Sequence, residues 1–508
     1  MVRLICFFCL LTFSAATYAQ DTAPAINKAG AQQLKTMFDT LLEERKKTLR
    51  TTSDTALTYQ GSTSVEPQAS YYAITLPYIS LRSKDGNRID LGMVSINAAP
   101  DTTAPKRWKM AIAIPTPIIM YDKNDQSILR FVIGAQKSAG IWDETVENFV
   151  KLDTLYANVS VRTTQDDSFA LTIPQILTRY DFRKGEGTLL SGDGYIVAKD
   201  LALTMGNQFS GTLGSLRNDF TLKDFNTIEY AAHQKRISAL TRRMTTDGVD
   251  KNALEKELLG TTVNLYKSFG EKLSTKYSLK NASITSKKDG VHNTVKIDDA
   301  AFGFDIGGFL SGKVFSGLTF GYNGLVLGSA NLPQDIMPAD VNFDIALKNL
   351  PLKELSSMGR TTAQSLQQNP DADAKAMIGL SLAMRLPALL SQAETLINLK
   401  NTYIGNKNYR LTLNGEAKAD ITAVNSITAL LNGTFNGLDT LINRTRYYAK
   451  TDSQNAATYT NLLKQLQFMQ TLGEKSGAGD TYLYKFEMTP TGQMLLNDKD
   501  AKKAIGGR

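Results

Sequence analysis

Regular alternation of apolar and polar residues from Phe315 to Leu352 constrains the fold more than any other feature of the chain. Leu318, Phe320 and Tyr322 alternate with small or polar residues. A second alternating run follows a connection that contains glycine and proline: Val341, Phe343, Ile345 and Leu347. Because side chains along a β-strand point to opposite faces in turn, a period of two gives one apolar and one polar face. The stretch therefore predicts amphipathic strands.

Glycines are concentrated around these strands, at positions 303, 307, 308, 312, 317, 321, 324 and 328. Glycine within strands marks bends, bulges or close backbone approach, so this sheet is expected to be strongly curved. Its apolar face can be closed by the chain's own helices, the arrangement we favour, or left as a groove for acyl chains. The groove would be lined by Phe302, Phe304, Leu318, Phe320, Tyr322, Val341, Phe343 and Ile345.

Strand and helix patterns alternate along the rest of the chain. Strand signals dominate from about 56 to 220 and return at 277–352. Apolar residues at three-to-four spacing predict helices at 26–50, 142–150, 226–276, 353–398 and 421–474. The first of these is interpreted as a helix that caps the first sheet.

Two hairpin segments resemble each other, ISLRSKDGNRIDLGMVSI and ASITSKKDGVHNTVKI, since both place Ser-Lys and Asp-Gly between alternating apolar residues. We interpret this as a weak internal repeat. The predicted fold class is α+β, with curved antiparallel sheets, interspersed amphipathic helices and two related halves. The predicted divisions are a strand-rich region with an N-terminal helix (20–225), a helical segment (226–276), a curved glycine-rich antiparallel sheet (277–352) and a last region of helices with a strand hairpin and a C-terminal strand (353–508).

The first residues, MVRLICFFCLLTFSAATYAQ, have the pattern of a secretory signal peptide at 1–19. One arginine precedes an apolar run, and small residues end at Ala19, after which cleavage is expected. The alternative is a retained anchor. Both cysteines, Cys6 and Cys9, lie inside this segment, so the mature chain would be cysteine-free. Since a large secreted eukaryotic protein more usually carries disulfides, we expect export to a bacterial periplasm. No transmembrane span is expected in the mature chain.

The net charge of +8 is modest for 508 residues and does not indicate nucleic acid binding. Four cations recur at seven-residue spacing on one predicted helix: Lys235, Arg236, Arg242 and Arg243. They could contact an anionic surface, although a solvated helix face is the more ordinary interpretation.

No motif points to a specific chemistry. The segment Gly307–Val314 resembles a phosphate-binding loop, but Val314 stands where serine or threonine would hold magnesium. We interpret it as a glycine-rich bend between strands. The two histidines, His233 and His292, lie far apart in the sequence and are expected at the surface. We therefore predict a protein that is not an enzyme and has no cofactor or metal.

One stretch resembles a known family. The helix AKAMIGLSLAMRLPALLSQAE is followed by a strand, an Asn-Lys-Asn turn and the strand NYRLTLNGEAKAD, within Ala372–Asp420. This order is similar to that of the uncharacterised YdgA-like bacterial periplasmic and envelope proteins. The resemblance covers about a tenth of the chain, which matches the family in length and expected export. The resemblance implies the location and the overall architecture of the chain, but it assigns no site residue. The cleavable signal departs from the anchor that such proteins often keep.

The predicted function is that of a non-enzymatic envelope protein which binds an apolar ligand, a lipid or another envelope protein. Two alternatives stay open. The first is a purely structural or assembly scaffold of the cell envelope, which predicts a closed core. The second is a hydrolase with an unrecognised site, which predicts a polar cleft with paired carboxylates, or a serine near His233 or His292.

Overall fold

A computed structural model describes residues 26–52, 55–146, 148–166, 168–244, 250–288, 291–328, 333–368, 372–477 and 479–501. The predicted signal peptide and its cleavage position lie outside these residues. The chain divides into two compact units. Unit 1 comprises Met1–Leu273 and Ile284–Gly290, and unit 2 comprises Ser274–Ser283 and Val291–Arg508.

The described helices occur in both units. They are α1 (Lys28–Thr52), α2 (Thr227–Met244), α3 (Lys251–Lys267), α4 (Leu352–Gln368), α5 (Ala372–Gln392), α6 (Leu438–Thr451) and α7 (Ala456–Leu472).

The described strands of the first part of the chain are β1 (Thr55–Gln60), β2 (Ser64–Pro67), β3 (Tyr72–Thr75), β4 (Tyr78–Ser83), β5 (Arg88–Gly92), β6 (Ser95–Pro100), β7 (Arg107–Ala113), β8 (Ile118–Tyr121), β9 (Ser127–Asp143), β10 (Asn148–Thr163), β11 (Phe169–Lys184), β12 (Leu189–Met205), β13 (Phe209–Asn226) and β14 (Lys272–Lys288). Those that follow are β15 (Val291–Gly307), β16 (Lys313–Asn323), β17 (Val326–Gly328), β18 (Asp340–Pro351), β19 (Leu396–Gly405), β20 (Arg410–Ala419), β21 (Ile427–Asn436), β22 (Glu474–Lys475), β23 (Thr481–Met488), β24 (Met494–Leu496) and β25 (Lys499–Asp500).

Antiparallel sheet dominates the structure, with 52% of residues in strands and 26% in helices. The prediction of a balanced α+β fold with two related halves is therefore wrong. The expectation of two related halves rested on the likeness of two hairpin turns. Asp-Gly recurs in tight hairpins because it tolerates the positive φ angles that such turns need. The likeness of the two segments therefore follows from the shared requirements of the turn and does not indicate a duplication. In the first hairpin, Gly86 has φ of +88°.

The core of unit 1 forms where α1 packs on the strands from β1 to β7. Leu34, Phe38 and Leu41 recur at helical spacing and are almost completely buried there. The same cluster contains both tryptophans of the chain, Trp108 and Trp142. The prediction that the first helix caps the first sheet is confirmed.

Two helix predictions were wrong. The 142–150 segment consists of the end of β9, a turn and the start of β10, and Trp142 packs edge-on against Phe149 with ring centroids 5.2 Å apart. Within 421–474, residues Ile427–Asn436 form β21, and helix begins only at Leu438. In both segments pairing with neighbouring strands decided the conformation.

The main core of unit 2 forms between α6, α7 and one face of the strands β20, β21 and β23. Leu438, Leu441 and Ile442 of α6 pack there against Phe435 and Tyr482 of the sheet. Gly437 permits the abrupt change from β21 into α6. Its φ is +77°, and an added Cβ would lie 2.2 Å from the carbonyl oxygen of Asn408.

Candidate functional site: an apolar sheet face in unit 2

The predicted groove residues lie on three adjacent strands and on one face. In β15, β16 and β18, Phe302 stands opposite Phe320, which stands opposite Phe343. A second row joins Phe304, Leu318 and Ile345, and a third joins Ala300, Tyr322 and Val341. Directly opposed residues of antiparallel strands share a face, so all eight predicted side chains come together. We call the side of the sheet that carries these eight residues the open face.

The open face is exposed, in contrast to the closed arrangement that we favoured. Phe302, Leu318, Phe320 and Phe343 each keep between 37% and 45% of their surface accessible. The other four are half-buried. Contiguous exposed apolar residues of this size typically mark a binding surface, because leaving them in water is unfavourable.

The same sheet face continues into the covered core. Val341 of the open face stands opposite Ile404 in β19, and the row continues through Leu411 to Phe435 and ends at Tyr482. Helices α6 and α7 cover the end of this row. One apolar face is therefore covered by helices over β20–β23 and exposed over β15–β18.

A pocket of about 170 Å³ lies where the exposed and covered parts meet. Its walls are Val341, Asn342, Phe343, Thr402, Tyr403, Ile404, Leu411 and Leu413. A cavity of about 150 Å³ lined by apolar residues can hold a benzene molecule. The pocket thus has room for the end of a hydrocarbon chain, while the rest of such a chain would lie along the exposed rows.

A β-bulge in β19 shapes this pocket. Asn401 has φ of +46°, and the register of β19 shifts against both neighbouring strands there. The Asn342 side chain donates to the Asn401 carbonyl at 2.5 Å, and the Asn401 amide donates to the Asn414 side chain at 2.8 Å. These hydrogen bonds hold the extra residue and direct Thr402 and Ile404 toward the pocket.

The opposite face of these strands is polar, with Asp305, Thr319, Asn342 and Asp344 among its residues. Burial and the nearby Asp340 carboxylate raise the pKa of Tyr322, so its hydroxyl stays neutral at physiological pH. The character of the open face suits a neutral hydrocarbon better than a charged group.

Sequence reasoning missed the pocket residues on β19 and β20. The hairpin that contains Leu411 and Leu413 was predicted, but not that β18 lies beside it. In β19 the bulge interrupts the alternation of side chains between the two faces after Leu399. The alternation resumes at Thr402. A period-two search without the bulge therefore assigns Ile404 to the wrong face. The asparagine at 401 was the available signal, because asparagine tolerates positive φ.

The predicted anionic-surface residues Lys235, Arg236, Arg242 and Arg243 all lie on α2 in unit 1 and are exposed. Arg236 forms an ion pair with Glu257 of α3, with 2.8 Å between Nη2 and Oε1. That pairing offsets part of the positive charge available to an anionic surface.

The glycine-rich segment forms a bend between strands, and the two histidines lie in different units. The segment Gly307–Val314 joins β15 to β16 through a turn with positive φ at Gly308 and Gly312, which confirms the predicted bend between strands. His233 lies on α2 in unit 1, and the exposed His292 lies on β15 in unit 2. Within the ranges given above, no cluster of histidine, cysteine, aspartate or glutamate is arranged to hold a metal ion.

Among the described helices, none is both long and apolar enough to cross a lipid bilayer.

Comparison with known proteins gave no significant match to a protein-family model, a curated protein or a solved structure. The resemblance to YdgA-like proteins therefore stays a prediction.

Proposed function

We propose that this chain is an exported envelope protein which binds the hydrocarbon chain of a lipid or similar apolar ligand on the open face of unit 2. The observation that carries the proposal is the row of three opposed phenylalanines, Phe302, Phe320 and Phe343, left exposed on one sheet face. Binding, not catalysis, is the proposed activity.

The mode of binding follows from the geometry. The end of an extended hydrocarbon chain enters the pocket between β18, β19 and β20, and its remainder lies across the aromatic rows. Covering these side chains removes apolar surface from water, which contributes roughly 25 cal/mol per Å². The polar headgroup stays outside the apolar rows, where solvent can hydrate it.

The test is titration of the purified full chain with a dansyl-labelled fatty acid, whose emission increases in apolar surroundings. We expect saturable binding by the wild type. Combined Phe320→Ser and Phe343→Ser substitution should weaken binding at least about tenfold, since each truncation removes a large apolar contact. Native mass spectrometry of protein isolated without detergent should show a lipid-sized adduct.

A matched control is available on the opposite face of the sheet in the same unit. Leu430 and Leu483 are exposed to 42% and 43%, close to the phenylalanines. Combined Leu430→Ser and Leu483→Ser substitution should leave binding unchanged. Equal affinity of both double variants, or no binding by the wild type, would contradict the proposal. A protein crosslinked to the open face in place of lipid would favour the scaffold alternative.

A further inference from the structure

Two rows of side chains run side by side across the strands of unit 2 on the open face. The first, which we call the phenylalanine row, consists of Phe302, Phe320 and Phe343 and is continued in the pocket wall by Thr402 and Leu413. The second, which we call the tyrosine row, consists of Ala300, Tyr322, Val341, Ile404 and Leu411. We call the space between the two rows the furrow. It crosses β15, β16, β18, β19 and β20 in turn.

The floor of the furrow is backbone, and its width suits one hydrocarbon chain. The residues between the two rows stand opposite one another, and their side chains belong to the other face of the sheet: Ala301, Gly321, Asn342, Tyr403 and Thr412. The rows are two residues apart along each strand, which is about 7 Å. That width is about twice the favourable contact distance between carbon atoms. A single file of methylene groups can therefore contact both rows at once.

The furrow is closed at one end and open at the other. The pocket is its last part, because the pocket walls belong to the two rows. Beyond the pocket, Phe435 of β21 stands opposite Leu411 and is only 3% exposed, since it packs in the core formed with α6 and α7. At β15 the tyrosine row has only the methyl group of Ala300, and Phe302 is exposed. A chain can therefore extend outward over β15 but stops at the covered core.

Hydrogen bonding in the pocket determines which end of a ligand it suits. Thr402 is the polar member of the phenylalanine row, and its hydroxyl is engaged by the backbone. It accepts from the Asp344 amide at 3.2 Å and donates to the Lys400 carbonyl at 3.3 Å. A polar headgroup placed in the pocket would lose its hydration without gaining hydrogen bonds, which is unfavourable. The pocket therefore suits the methyl end of a chain, and the headgroup belongs at the open end beside β15.

The strand register also gives the length of the furrow. Neighbouring strands lie about 4.8 Å apart, so the four steps from β15 through β16, β18 and β19 to β20 span about 19 Å. Carbon–carbon bonds of about 1.5 Å advance an extended chain by about 1.3 Å each. Roughly 15 carbons therefore span the furrow.

We propose that the ligand of the open face is a single unbranched acyl chain of about 15 carbons, which lies in the furrow with its methyl end in the pocket. This class of ligand rests on the proposed function, since it specifies what the same face binds. The methyl branches of an isoprenoid chain and the fused rings of a sterol are wider than a single file of methylene groups, so they cannot contact both rows along the whole furrow.

The test is isothermal titration calorimetry of the delipidated full chain with straight saturated fatty acids of about 8 to 18 carbons, each below its micelle concentration. The affinity should rise about twofold per added methylene, because a chain in an open furrow is covered only in part. The rise should end near 15 carbons, where further methylenes extend past β15. An isoprenoid acid with a main chain of about 15 carbons and regular methyl branches should bind at least about tenfold more weakly than the straight acid.

A tryptophan in the furrow tests the path of the chain. Ile404 of the tyrosine row is 42% exposed, so Ile404→Trp adds bulk outside the buried core and blocks the furrow at β19. In this variant the rise in affinity should end at about 8 carbons, the length that remains over β15, β16 and β18. The control is Leu430→Trp, at a leucine of the other face that is also 42% exposed. It should keep the chain-length dependence of the wild type.

The outcomes separate this proposal from the proposed function. If the wild type binds neither the fatty acids nor the dansyl probe, both are contradicted. If it binds them but its affinity does not change with chain length, or if the branched acid binds as tightly as the straight one, only the acyl-chain proposal is overturned. Equal chain-length dependence of Ile404→Trp and Leu430→Trp overturns it as well. The two measurements on the wild type decide the matter even if Ile404→Trp does not fold.

Discussion

Asp143 is a buried carboxylate in the core of unit 1 and depends on its hydrogen bonds. It accepts from Arg107 Nε at 2.7 Å and from the Thr145 hydroxyl at 2.5 Å. Burial alone would raise the pKa of Asp143, but these hydrogen bonds outweigh it and the pKa is lowered. The charged form therefore stabilises the fold above the ordinary aspartate pKa of about 3.9, and this contribution is lost as the pH falls through the lower folded-state value.

We expect Asp143→Asn to lower the free energy of unfolding by about 1–3 kcal/mol at pH 7, because hydrogen bonds to a charged acceptor are replaced by weaker ones. The difference from the wild type should be smaller at pH 3, because below about 3.9 the carboxylate of the unfolded chain takes up a proton before that of the folded chain. Urea unfolding followed by tryptophan fluorescence measures this, since Trp142 precedes Asp143 in β9 and Trp108 lies in the same core.

Asp153→Asn is the matched control, since Asp153 also pairs with an arginine, Arg179, at 2.6 Å, but is more than half exposed. Water screens an exposed pair, so little change is expected at either pH. A difference between Asp143→Asn and the wild type that is equal at pH 7 and pH 3 would contradict the assignment.

At the scale of elements, the helix pair α6–α7 and the bulge in β19 determine how far the apolar face of unit 2 is covered. The helices cover the part formed by β20, β21 and β23. The bulge at Asn401 opens the pocket at their border. The packing of this covered part can be tested at Thr445, a polar residue that is buried among apolar ones.

Thr445 of α6 is fully buried, and its hydroxyl has no hydrogen-bond partner among the described residues. A buried polar group without a partner destabilises a fold, so Thr445→Val, which keeps the shape, should stabilise unit 2 by about 1 kcal/mol. Hydrogen exchange measured by mass spectrometry on peptides from α6 should slow accordingly.

Thr395→Val provides the opposite case in the same unit. The Thr395 hydroxyl donates to the Asn349 carbonyl at 2.8 Å and is also buried, so its removal should destabilise by about 1 kcal/mol. If Thr445→Val accelerated exchange in the same way, the Thr445 hydroxyl would have a partner after all.

At the scale of the whole molecule, export is the prediction on which the proposed envelope location depends. The protein isolated from its own cells should begin at Gln20, as read by mass spectrometry of its N-terminal peptide. Ala19→Arg should block processing, because signal cleavage requires a small residue there. Recovery of the wild type with Met1 still attached would instead indicate a retained anchor.

The amino-acid sequence by itself determined which side chains share a face of each regular strand. Period-two alternation depends only on the pleat of the backbone, so the eight residues of the open face could be selected from the apolar pattern alone. The α1 helix was predictable for a similar reason, since Leu34, Phe38 and Leu41 follow the helical period. Turn chemistry placed the bend at Gly308 and Gly312 between two strands.

Only the tertiary structure decided which strands lie side by side and which part of the apolar face stays uncovered. Strand neighbours depend on contacts between residues far apart in sequence, such as Val341 with Ile404, and no local pattern specifies them. The same contacts turned 427–436 from an expected helix into a central strand, and they let the bulge at Asn401 shift the alternation. Coverage was decided in the same way. Both α5 and α6 carry apolar spacing, and only their packing shows that Leu438 and Leu441 of α6 are buried while Met377 and Met384 of α5 are exposed.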